Sequence, residues 1–65
     1  MEPYQQRVVD EKTALDEKIE KLESFIETKV FYNLVGDEKY MLTRQLDIMK
    51  VYSEILEDRI SAFSV

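Results

Sequence analysis

Cysteine, histidine and tryptophan are absent from this 65-residue chain, and glycine and proline occur once each. Without Cys and His, the two usual staples of very small folds, disulfides and zinc, are excluded. The same absence removes the commonest general base, the nucleophilic dyads, soft metal sites and the Glu-x-x-His di-iron pattern. One glycine cannot build a phosphate-cradling loop. Carboxylate pairs such as Asp10-Glu11, Asp16-Glu17 and Glu57-Asp58 are adjacent in sequence, so on a helix they point apart instead of converging on one ligand. The expectation is a protein that is no enzyme and takes no metal or cofactor.

Long apolar runs are lacking too, so neither a signal peptide nor a membrane span is expected. With the missing cysteines, this implies a cytoplasmic protein. Nine Lys and Arg stand against fourteen Asp and Glu, a formal charge of −5. The acidic residues are spread along the chain, which argues against a DNA or RNA polymer, or an anionic membrane, as partner. A small anionic ligand remains open where a few basic side chains converge.

What is there favours helix throughout: Glu, Lys, Leu, Ile and Gln, with almost no punctuation for strands and turns. The expected fold is all-α, one domain over 1–65, built as an antiparallel two-helix hairpin with room for a short extra N-terminal or connecting turn. Pro3 suits the first turn of a helix and Glu2 complements its positive end. A first helix is predicted from Tyr4 to about Lys29, with Val8, Leu15 and Leu22 recurring every seven residues and Ile19 and Ile26 as a second row. Glu11, Asp16, Glu17, Lys18, Glu20, Lys21 and Glu23 are assigned to an opposite, solvated face, with Lys12–Asp16 and Glu17–Lys21 at i,i+4.

Val30 to Val35 is apolar without a clear period. A lone strand would have no partner, so a packed loop or short helical turn is expected there. Gly36-Asp37 offers a break and an N-cap for a second helix from about Asp37 to Phe63. That helix carries one heptad row of Leu42, Met49, Leu56 and Phe63 and another of Met41, Ile48, Ile55 and Ala62, widened by Leu46, Tyr52 and Ile60. Such a face is wider than one neighbouring helix covers. A 65-residue chain buries only about 60% of its unfolded surface, so the second flank is expected to be covered by further copies in a compact homo-oligomeric bundle.

Binding groups collect at the start of the first helix, where Tyr4, Gln5, Gln6 and Arg7 set an aromatic ring, two amides and a guanidinium beside free backbone N–H groups. They suit a base and a phosphate; equally, Tyr4 packs on a neighbouring helix and Arg7 pairs with Glu11. In an antiparallel hairpin Arg59 returns to the same end, either as a ligand contact or as a cation complementing the helix dipole. Lys18 and Lys21 stand between phosphate contact and solvated charge.

The run Tyr4-Gln5-Gln6-Arg7-Val8-Val9-Asp10-Glu11-Lys12, then Leu15 to Leu22 and Phe25-Ile26, resembles the opening of a helical-hairpin family encoded mainly by bacteriophages. Leu42, Gln45-Leu46, Met49, Tyr52, Ile55-Leu56, Arg59-Ile60 and Phe63 resemble its second helix, so the likeness covers nearly the whole chain. The family includes phage sponges that counter the CBASS and Thoeris defences by sequestering cyclic nucleotide signals. The resemblance implies a hexamer, with cyclic dinucleotides between protomers and cyclic trinucleotides near a threefold axis. It implies that Tyr4 stacks on a base, that Arg7 and Arg59 meet phosphates near a symmetry axis, and that Lys18 is a phosphate contact between chains, with Lys21 the alternative in a slightly shifted register. Symmetry offsets the acidic balance, because one arginine near an axis becomes two or three.

Two functions follow as expectations. One is an immune-evasion protein in the host bacterial cytosol that holds cyclic di- or trinucleotides without cleaving them. The other is a structural or adaptor oligomer that docks a protein partner through an exposed helix face. A nucleic-acid-binding regulator has little support without a basic helix or patch.

Overall fold

The computed structural model describes residues 1–63. Its elements are α1 (Pro3–Ile26), the single turn α2 (Lys29–Tyr32) and α3 (Gly36–Ala62), and no strand occurs among the described residues. The all-helical expectation holds. Pro3 occupies the first turn of α1, and the Glu2 N–H donates to Gln5 Oε1 at 2.8 Å, satisfying a backbone donor that the helix start leaves open.

α1 stops at Ile26, short of the expected Lys29. Thr28 is the cause: its Oγ1 donates to the Phe25 carbonyl at 2.7 Å and accepts from the Phe31 N–H at 3.2 Å, so one hydroxyl closes α1 and caps α2. Of the two expectations for Val30–Val35, the short helical turn is the one found over Lys29–Tyr32, pinned by an edge-to-face contact of Phe25 and Phe31, 6.1 Å between centroids. The Gly36-Asp37 cap is corrected. Val35, extended at φ −64 and ψ 154, is the N-cap; Gly36 is already helical, and Asp37 and Glu38 lie in the first turn, where their charge meets the positive helix end.

α1 and α3 lie side by side and run in opposite directions: Tyr4 meets Phe63, Glu11 meets Tyr52, Lys12 meets Ser53 and Glu23 meets Lys50. The chain is correspondingly 47 Å long and 14 Å across. The seam takes Val8, Leu46 and Leu56 as buried residues, with Leu56 at 0% exposure, flanked by half-buried Leu15, Ile19, Leu22, Ile26, Leu42, Met49, Ile60 and Phe63. Thus the row Leu42, Met49, Leu56, Phe63 turns inward. The companion row Met41, Ile48, Ile55, Ala62 turns outward, with Ile48 60% exposed.

Candidate functional site

The two edges of the α1–α3 seam differ in chemistry. One is closed by polar bridges: Lys12 Nζ lies 2.7 Å from Asp16 Oδ2, 3.1 Å from Ser53 Oγ and 3.9 Å from Glu57 Oε2, and Lys50 Nζ reaches Glu23 at 2.9 Å. Ser53 Oγ in turn donates to Asp16 Oδ1. The hydrogen bond from Lys12 holds the Asp16 carboxyl below its ordinary value, helped by Ser53, and the same bond holds Lys12 above its own. Asp16 and Glu23 therefore do not belong to a purely solvated face. Asp16 is half-buried and ties α1 to α3.

The other edge carries the sequence-predicted site. Tyr4 sits at the open end of α1, half-exposed, with its ring edge-on to Phe63 at 6.0 Å. Arg7 follows one turn later, a spacing that puts it on the neighbouring surface. Arg59 occupies the last turn of α3, at the same end of the molecule, and its charge acts on Tyr52. Both arginines are exposed, and neither makes an ion pair among the described residues. The packing of Tyr4 on a neighbouring helix is thus found, but the Arg7–Glu11 pair is not.

Lys18 does not join this group within one chain. It lies fourteen residues beyond Tyr4, roughly 21 Å along the helix at 1.5 Å per residue, exposed and without a bonded partner among the described residues. It shares the edge of Glu11, seven residues earlier. Lys21 instead borders a recess of about 410 Å³ on the outer side of α1, with Glu17, Glu20 and Ser24. Two carboxylates in that lining make it a poor seat for a phosphate.

Glu11 and Tyr52 were not expected at the site. The Tyr52 hydroxyl donates to Glu11 Oε2, and that bond, with some burial, pushes the phenol above its ordinary 10.0. Periodicity counted Tyr52 as apolar and Glu11 as solvated. The signal that links them is register: in an antiparallel pair the residue numbers of facing positions have a near-constant sum, and Glu11 with Tyr52 falls close to Tyr4 with Phe63. Alongside, the outward row of α3 continues the edge as an apolar strip of Met41, Ile48, Val51 and Ile55, with a recess of about 330 Å³ lined by Met41, Arg44, Gln45, Ile48 and Met49.

Among the described residues no cluster of acidic side chains is arranged to hold a metal ion, and no helix is long and apolar enough to cross a membrane. No solved structure matches the chain. It is similar to an uncharacterized 7.5 kDa protein encoded in the denB–rIIB intergenic region of Enterobacteria phage T4, 40% identical over 60 residues that span 92% of this chain and 94% of the relative. The Sequestin family profile matches residues 2–62. A phage relative and this match together suggest a phage sequestering protein, and the chain belongs to the Sequestin family.

Proposed function

We propose that this protein is an immune-evasion protein of phage type that binds cyclic di- or trinucleotide second messengers and holds them without cleavage in the host cytosol. The observation that carries the reading is the gathering of Tyr4, Arg7 and Arg59 at one end of the α1–α3 pair, with both guanidinium groups free of ion pairs among the described residues. A half-exposed ring offers a face to a base, and a guanidinium forks onto phosphate oxygens. Nothing in sequestration requires a general base or nucleophile, in keeping with a chain that has no His or Cys. It acts by mass action, so the protein must be abundant relative to the messenger.

The working unit is an oligomer of helical hairpins, with six copies favoured. The outward strip of α3 supports assembly, since Met41, Ile48, Val51 and Ile55 stand exposed at heptad-like spacing. Lys18, too far from Tyr4 to serve the same ligand within a chain, then contacts a phosphate held mainly by a neighbour. The same strip favours a second reading, an adaptor oligomer that docks a protein partner.

Thermal unfolding with cyclic diadenylate, cyclic diguanylate and cyclic triadenylate separates the two. A ligand at 100 times its dissociation constant raises stability by about 2.7 kcal/mol, and the nucleotide is recovered intact. Arg59→Ala is expected to preserve the oligomer and abolish the trinucleotide shift. Wild-type protein indifferent to every cyclic nucleotide moves the assignment to the adaptor.

A further inference from the structure

Arg7 has two acidic neighbours on its own helix, Asp10 three residues on and Glu11 four residues on, the spacings at which helical ion pairs form. It pairs with neither. Asp10 Oδ1 accepts from Gln6 Nε2 at 2.9 Å, and Glu11 Oε2 accepts from the Tyr52 hydroxyl of the facing helix. Both carboxylates that would neutralise Arg7 are held by uncharged donors.

From this we infer that Tyr52 on Glu11, together with Gln6 on Asp10, is a positioning residue that keeps the Arg7 guanidinium open to an anionic ligand by occupying the carboxylates three and four residues on. The inference rests on the proposed binding of a phosphate-bearing ligand. Its logic is a competition: an arginine already bonded to a carboxylate must surrender that bond before it accepts a phosphate, whereas a neutral hydroxyl or amide donor holds the carboxylate and adds no charge of its own. Tyr52 is suited to the task because it reaches Glu11 from α3, so the restraint exists only when the two helices are docked. An unfolded or separated α1 would let Arg7 close on Glu11.

Tyr52→Phe removes the hydroxyl and keeps the ring; Glu11→Gln removes the competing charge. In ligand-free protein, NMR of the Arg7 Nε–H reports its pairing. Tyr52→Phe is expected to shift that signal and slow its exchange with water, and the double variant Tyr52→Phe/Glu11→Gln returns it to the wild-type position. Circular dichroism confirms that each variant is folded. Titrated with cyclic triadenylate at fixed salt, Tyr52→Phe binds about twofold more weakly for each protomer whose Arg7 touches the ligand, and the double variant regains wild-type affinity. An Arg7 signal unmoved by Tyr52→Phe overturns the inference, as does a loss of binding that Glu11→Gln fails to rescue. Wild-type protein that binds no cyclic nucleotide overturns the proposed function instead, and the Arg7 signal still decides the positioning role.

Discussion

Ser53 Oγ donates to Asp16 Oδ1 at 2.6 Å across the seam between α1 and α3, while the same oxygen accepts from Lys12 Nζ at 3.1 Å. One small hydroxyl thus completes a three-residue bridge whose other two members are already an i,i+4 pair on α1. Ser53→Ala leaves that pair intact and cuts its tie to α3. The expected cost is about 1 kcal/mol, the ordinary net contribution of one internal hydrogen bond, read as a lower urea midpoint with unchanged helicity. An unchanged midpoint would show that water replaces the hydroxyl without loss.

The same bridge sets the pH response. Asp16 is held below its ordinary 3.8, so its contribution to stability is complete above that value and is lost as pH falls through the lower folded value. Lys12 and Tyr52 are raised above 10.5 and 10.0, so theirs are complete below those values and are lost as pH rises through the folded ones. Stability measured by urea unfolding is therefore expected to fall at both extremes, with no loss from these three groups across the neutral range. Ser53→Ala should shallow the acid limb and Tyr52→Phe the alkaline limb. An acid limb equally steep in Ser53→Ala would leave the lowered Asp16 value to the Lys12 bond alone.

Packing and assembly separate along α3. Leu56 is fully buried against α1, so Leu56→Ala is expected to destabilise each protomer by about 2–5 kcal/mol, the range for a leucine deleted from a core. Ile48 is 60% exposed and faces away from α1. Ile48→Glu should therefore keep the helical content of the wild type while lowering the mass seen by sedimentation equilibrium, because a charge is placed in the strip that copies would bury. Wild-type mass in Ile48→Glu would move the self-association surface elsewhere.

Much of this was legible in the sequence, for physical reasons that also mark where legibility ended. The row Leu42, Met49, Leu56 and Phe63 can be read from heptad spacing, and an α3 face too wide for one neighbour can be read from the second row. Which row turns inward cannot, because both are equally apolar and only docking against Val8 and Leu15 decides it. Tyr4 and Arg59 come to one end by topology alone. Asp16, Glu11 and Tyr52 escaped because their partners are 37 to 41 residues away, beyond any i,i+4 rule. The end of α1 shifted where side-chain bonding by Thr28 overrode the composition of the turn.

Gly36 tests the corrected start of α3. Glycine at a helix boundary ordinarily signals a backbone conformation closed to other residues, yet Gly36 has no positive φ and is the first residue of α3, and a Cβ added there would meet nothing within 4 Å. Its freedom is then only an entropic burden on folding. Gly36→Ala is expected to stabilise the protein by about 0.4–1 kcal/mol, chiefly by restricting the unfolded chain, with a higher thermal midpoint and unaltered assembly. A destabilised Gly36→Ala would mean that the turn needs a conformation alanine cannot adopt, and would return the start of α3 to Asp37.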